Sequence, residues 1–160
     1  MANHAMFRSD SMAGTTHGKY LVSVRMTEDL DNGCIVVPGD LEAGAREVRA
    51  YAAPEADTAV GKIAILGSEE VVKDVKFDTV GQFTNLNGSL ARGYIFEHGD
   101  MFSVTKECID GTPAVGCTFE VKAGSHKMNA VESATGATAI GKCIAVEPDG
   151  AVTWYVVRVD

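Results

Sequence analysis

Valine and isoleucine together occupy 26 positions of the chain, and leucine only six. Side chains branched at Cβ lose χ1 freedom in a helix and leucine loses little, so a helical protein of this length would be leucine-rich. Glycine recurs along the same stretches, at 17 of 160 residues against roughly 7% in average proteins. β-Branched runs broken by glycine turns predict an all-β fold, a compact barrel or sandwich of about ten short strands, and exclude a helical bundle.

The punctuation divides the chain. Residues 1–19 hold almost no periodic apolar pattern and read as an extended N-terminal arm, with Met6 and Phe7 as its apolar anchors. A single β domain follows over 20–160. Strands are expected at Tyr20–Arg25, Cys34–Val37, Arg46–Ala52, Ala59–Leu66, Arg92–Glu97, Met101–Thr105, Val115–Val121, His126–Val131, Ala139–Glu147 and Ala151–Val159. Asn32-Gly33, Pro38-Gly39-Asp40, His98-Gly99-Asp100 and Pro148-Asp149-Gly150 supply turns between them, the last two as hairpins. An insertion spans about 67–89. Its first part, Ser68 to Val75, suits a short capped helix or a strand, and Asp78–Ser89 reads as an extended loop.

The chain also resembles itself. Gly33-Cys34-Ile35-Val36-Val37 matches Gly116-Cys117-Thr118-Phe119-Glu120 at an offset of 83. Val48-Arg49-Ala50 falls on Met128-Asn129-Ala130, and Val60-Gly61-Lys62-Ile63-Ala64-Ile65 on Ile140-Gly141-Lys142-Cys143-Ile144-Ala145, both at 80. Each half therefore reads as Gly-Cys strand, turn, strand, loop, Gly-Lys strand. Two similar β-units are expected within one fold, because each half alone is too small for its own core.

Charge and motifs exclude most chemistry. Fourteen Lys and Arg against 22 Asp and Glu give a net charge of −8, the wrong sign for nucleic acid or an anionic membrane. Apolar runs of four or five residues fall far short of the roughly 20 that span a bilayer. The opening MANHAMFR has neither the basic nor the apolar region of a secretory signal, so a cytoplasmic product is expected, with Cys34, Cys108, Cys117 and Cys143 as buried free thiols.

Ala13–Tyr20 has glycines too close together for a phosphate loop, and Tyr20 stands where a Ser or Thr would hold the metal. His4, His17, His98 and His126 are far apart, no Cys-x-x-Cys occurs, and Asp29, Asp31 and Asp40 lack EF-hand spacing. No Gly-x-Ser-x-Gly elbow is present, and Glu69-Glu70 sits in a polar stretch. The expectation is no catalytic residue, no cofactor and no metal. Trp154–Val159, apolar on both faces, is expected to be a core strand, with burial in a subunit contact as the alternative.

Leu30-Asp31-Asn32-Gly33-Cys34-Ile35-Val36, Gly39-Asp40-Leu41, Arg46-Glu47-Val48 and Ala53-Pro54 together resemble the front half of small bacteriophage head decoration (capsid cement) proteins. Ala91-Arg92-Gly93-Tyr94, His98–Thr105, Gly141-Lys142 and Trp154-Tyr155-Val156-Val157 continue the resemblance, which covers roughly residues 20–160. It is a likeness of texture and spacing. It implies a compact β-barrel or sandwich on the outer surface of the virion head, bound to the major capsid protein, with no catalytic residues to carry over. It also implies a homo-oligomer, a trimer above others. Met6, Phe7 and Arg8 in the arm are then the expected capsid contacts, and the 67–89 insertion the second candidate. The alternatives are another virion subunit, such as a head fibre base or tail tube, and a ligand-binding β-barrel.

Overall fold

The computed structural model describes residues 4–71 and 80–160, and their regular structure consists of strands joined by turns and short 3-10 segments. Strand β1 is Phe7–Ser11, β2 Leu21–Arg25, β3 Ile35–Leu41, β4 Val48–Ala52, β5 Ala64–Leu66 and β6 Leu90–Ile95. The second half holds β7 Met101–Val104, β8 Ile109–Gly111, β9 Thr118–Glu120, β10 Met128–Val131, β11 Ala139–Asp149 and β12 Val152–Val159. The fold is all-β, with twelve strands among the described residues; β1 and β8 are the two that the sequence pattern does not announce.

Five strands close into a small barrel in the order β2-β4-β3-β5-β6, and seven form a sheet in the order β1-β7-β12-β11-β9-β10-β8. The two are the same unit twice. Ile35 faces Ile65 and Val36 faces Ala64 in the barrel, as Thr118 faces Lys142 and Phe119 faces Gly141 in the sheet. Ala64 opposite Ile95 repeats as Gly141 opposite Val159, and Leu21 opposite Tyr94 repeats as Met101 opposite Arg158. Thus β2, β3, β5 and β6 correspond to β7, β9, β11 and β12.

One edge differs between the copies. In the barrel β2 pairs with β4 as well as β6, which closes the ring; in the sheet β7 pairs with β12 and with β1. The N-terminal strand occupies the edge that closure would need. The chain therefore turns at Lys106–Cys108, and β8 runs parallel to β10 instead.

Several sequence expectations are corrected. The Gly-Lys match is out of register by three, because Ala64–Leu66 correspond to Gly141–Cys143; Val60–Lys62 is a 3-10 turn and not strand. Pro38-Gly39 does not end its strand. It lies beyond the β5 pairing, so Pro38 needs no donor on that side, and a register shift between Pro38 and Leu41 absorbs it. His98-Gly99-Asp100 makes no hairpin, since β6 belongs to the barrel and β7 to the sheet. In the insertion, Ser68–Glu70 form neither helix nor strand, and Val72 and Val75 lie outside the described residues.

One apolar core runs through both units, from Val24, Ile35 and Ile65 in the barrel to Phe119, Ile140 and Val157 in the sheet. Phe96 and Phe102 stack between them with ring centroids 5.3 Å apart. All four cysteines are buried and free.

Candidate interaction surface

The segment read as an extended N-terminal arm lies on the body of the protein, where β1 pairs with β7. Met6 N–H donates to Thr105 Oγ1 at 3.0 Å, and Thr105 N–H donates back to Met6 O at 3.2 Å. Asp31 accepts from His4 Nδ1 at 2.8 Å and from Ala5 N–H at 2.9 Å. Buried Asp100 takes Ala13 N–H at 2.8 Å, and Ser103 Oγ donates to Asp10. These partners were hidden from a local reading because Asp31, Asp100 and Thr105 are distant in sequence.

Its three candidate contacts are accordingly placed. Met6 is only 5% exposed and is part of the buried interior. Phe7 packs between Tyr94 of the barrel and Phe102 of the sheet. Arg8 lies with its guanidinium 3.9 Å from the centre of the Trp154 ring and 3.5 Å from Glu147 Oε2. A cation over an indole face is held electrostatically, which ties β1 to the β11–β12 hairpin. Trp154 is buried as expected of a core strand, and its indole Nε1 has no hydrogen-bond partner among the described residues.

The insertion, second among the expected contacts, builds an open groove of about 830 Å³ against β2 and β6. Strand alternation explains the location. Leu90 and Arg92 point outwards from β6 while Ala91 between them is buried, and Ser23 faces Arg92 across the strands. Phe83, Leu86 and Val71 add apolar surface from the insertion, and Val71, Leu86 and Leu90 are 76%, 57% and 52% exposed. These three exposed apolar side chains line the same groove, and exposed apolar surface gathered in this way is of the kind that marks binding surfaces.

Two buried asparagines hold the groove in shape. Asn32 Nδ2 donates to Ser68 O at 3.0 Å and to Glu70 Oε1 at 3.4 Å, and its Oδ1 accepts from Ser68 N–H at 3.0 Å and Asn85 Nδ2 at 3.1 Å. Asn85 Nδ2 also donates to Leu30 O at 2.9 Å, and the two backbones pair there. Asn32 is thus saturated, and both ends of the insertion are fastened to the loop before β3. The sequence marked Asn32-Gly33 as a turn; nothing local reveals that the amide is buried and shared. Burial raises the Glu70 carboxyl above its usual range, partly offset by the Asn32 hydrogen bond.

Among the described residues no three His, Cys, Asp or Glu side chains are arranged to hold a metal. Burial, reinforced by Asp31, pushes the Cys34 thiol up to about 12, and burial with neighbouring Cys117 pushes Cys143 up to about 11. Cys108 is likewise raised by burial. Such thiols behave as small hydrophobes. His126 is engaged with Ile35 O at 2.9 Å, and buried Glu120 accepts from the Thr135 N–H at 3.1 Å and from its hydroxyl. Among the described residues no helix is long and apolar enough to cross a membrane.

The chain matches no protein-family model, no curated protein and no solved structure.

Proposed function

We propose that the protein is a bacteriophage capsid decoration protein that binds the outer surface of the assembled head and stabilises the shell. The observation that carries this reading is the apolar groove on the barrel exterior, held open by the Asn32–Asn85 clamp on an otherwise acidic body. A cement protein needs a rigid, preformed contact surface, because ordering entropy spent on binding would be spent at every lattice site. It must also stay dispersed until a lattice collects it, and a net charge of −8 favours dispersal. The resemblance over residues 20–160 points the same way.

On this reading the major capsid protein packs against Phe83, Leu86 and Leu90. Phe7 bridges the two units, Met6 and Arg8 fasten β1 to the sheet, and the three contribute to the contact only indirectly. Co-sedimentation with undecorated capsids tests the proposal. Binding at micromolar concentration, weakened about tenfold or more by Leu86→Glu with Leu90→Glu, supports it. A protein that stays in the supernatant sinks it.

A further inference from the structure

Gly33-Cys34 and Gly116-Cys117 each open a strand with a bulge in which two residues face one. Gly33 N–H donates to Leu66 O and Leu66 N–H donates to Cys34 O, both at 2.8 Å, with Gly33 at φ +87°. Gly116 N–H donates to Cys143 O at 2.8 Å and Cys143 N–H to Cys117 O at 3.0 Å, with Gly116 at φ +88°. Glycine in the left-handed region is what the first position of such a bulge requires. The residue facing the cysteine differs between the copies, Leu66 in the barrel and Cys143 in the sheet. The fold thus accepts a plain apolar side chain at this place, and burial alone does not call for a second thiol.

Register brings the two sulfurs together. Thr118 faces Lys142, so Cys117 faces Cys143 one step further along the same antiparallel pair. Directly opposed residues share a face of the sheet with Cα atoms about 4.5–5.5 Å apart, inside the range of about 4.4–6.8 Å that a disulfide spans. Cys143 Sγ donates to Ala145 O at 3.4 Å and lies within hydrogen-bonding reach of the Cys117 thiol. The β11–β12 register also shifts between Cys143 and Ala145, so the backbone is bulged on both flanks of the pair and can follow a small approach. Cys117 and Cys143 are 5% and 1% exposed, while Val115 and Ile144 beside them are exposed. The pair lies one side chain below the surface.

We propose that Cys117 and Cys143 are a redox modification site that closes to a cross-strand disulfide in the folded protein on meeting a peroxide. Hydrogen peroxide is small enough for a site so covered. Cys117, the more exposed, takes one oxygen to become a sulfenic acid and releases one water. Cys143 then attacks that sulfur; the S–S bond forms, the S–O bond breaks, and the hydroxyl leaves as water with the Cys143 proton. Two thiols and one peroxide give one disulfide and two waters. Alkylation adds bulk for which the pair has no room, whereas this step removes two hydrogens and shortens a contact already made.

The bond closes the segment that joins the two units. Between the cysteines lie Gly124 N–H, His126 O and Thr138 N–H, which pair with Pro54 O, Ile35 N–H and Ala56 O at 3.0, 2.8 and 2.8 Å. Tying the ends of that segment removes freedom from the unfolded chain and so holds the joint. A chain made under reducing conditions folds with free thiols and is stapled once it leaves them. This inference does not depend on capsid binding.

Overnight treatment of the full folded chain with hydrogen peroxide at about pH 9, where more thiolate is present, tests it. Free thiols are then blocked in urea and the peptides mapped without reduction. A linked Cys117–Cys143 peptide is expected, with Cys34 and Cys108 blocked as thiols, and dithiothreitol should abolish the link. Oxidation should raise the melting temperature by about 5 °C or more. Cys143→Leu, which places the barrel's residue in the sheet, should show no rise under the same treatment, and Cys117→Ala is the second such variant. No link in the native protein, or a link made instead through Cys34 or Cys108, overturns the proposal. So does a linked protein that melts no higher, or an equal rise in the two variants.

Discussion

The Phe7 ring lies 5.6 Å from the Tyr94 ring, centroid to centroid, and so bridges the N-terminal strand to the barrel. On its other side it meets Phe102 of the sheet at 6.3 Å. Gly67 makes room for this ring, since a Cβ there would come within 2.5 Å of it. Phe7→Ala is expected to cost about 2–3 kcal/mol, less than a fully buried ring because Phe7 is only partly covered. The melting temperature should fall by about 5–10 °C, and removal of residues 2–18 should lower it further. An unchanged midpoint would mean the segment does not hold the units together.

Asn32 makes four hydrogen bonds in a dry place, and Asn32→Ala would leave Ser68 N–H and Ser68 O short of partners. The expected loss is about 1–3 kcal/mol, concentrated in the insertion. Limited proteolysis should cut within 67–89 several times faster than in wild-type protein, with the barrel still folded by circular dichroism. Uniform sensitivity along the chain would argue against a local clamp.

Glu70 carries a carboxyl raised in the folded state, first by burial. Its neutral form is therefore favoured by folding. This contribution is present at pH below the unfolded value near 4.5 and is lost as pH rises through the folded one. Glu70→Gln should melt higher than wild type at pH 7, and the gap should close as pH falls towards 4.5. Asp110 behaves oppositely, because its hydrogen bond to Lys122 at 2.9 Å lowers its carboxyl. Asp110→Asn should lower stability near neutrality and not in acid. Thermal melts of both variants from pH 3 to pH 8 check the two signs, with pH steps of about 1 unit sufficing.

Gly61 and Gly141 align in sequence yet differ in structure, so alanine distinguishes them. A Cβ on Gly141 would stand 2.0 Å from Arg158 O across β11 and β12, and one on Gly61 would meet nothing within 4 Å. Gly141→Ala should cost about 3 kcal/mol or more, because backbone must move. Gly61→Ala should be neutral or stabilising by about 0.4–1 kcal/mol through the unfolded chain. Urea titration measures both, and equal effects would contradict the three-residue shift in register.

The four thiols should resist alkylation in the native state at pH 8, since burial raises Cys34, Cys108 and Cys143 and leaves little thiolate. All four should react after unfolding. Intact-mass measurement before and after urea counts them, and rapid native labelling would show an open core.

Local physics is legible in the sequence. The Val and Ile runs announced ten of the twelve strands among the described residues, and Pro148-Asp149-Gly150 announced the β11–β12 hairpin, because side-chain branching and turn conformation act within a few residues. The repeat was legible too, where Gly33-Cys34 and Gly116-Cys117 make the same backbone bonds. The Gly-Lys match misled because strand and 3-10 turn can share a short pattern, and only cross-strand hydrogen bonds choose between them.

What the sequence by itself determined is a β-rich, acidic chain built from two like units. Tertiary structure alone decided which edge each strand meets. Met6, Phe7 and Arg8 look like an arm without partners because Thr105, Tyr94, Phe102 and Trp154 are all remote from them in sequence. Asn32 reads as a turn residue and Asn85 as part of a loop until burial makes each the other's partner. Long-range pairing leaves no local periodicity, so the closed barrel, the open sheet and the clamped groove emerge only when both halves are packed together.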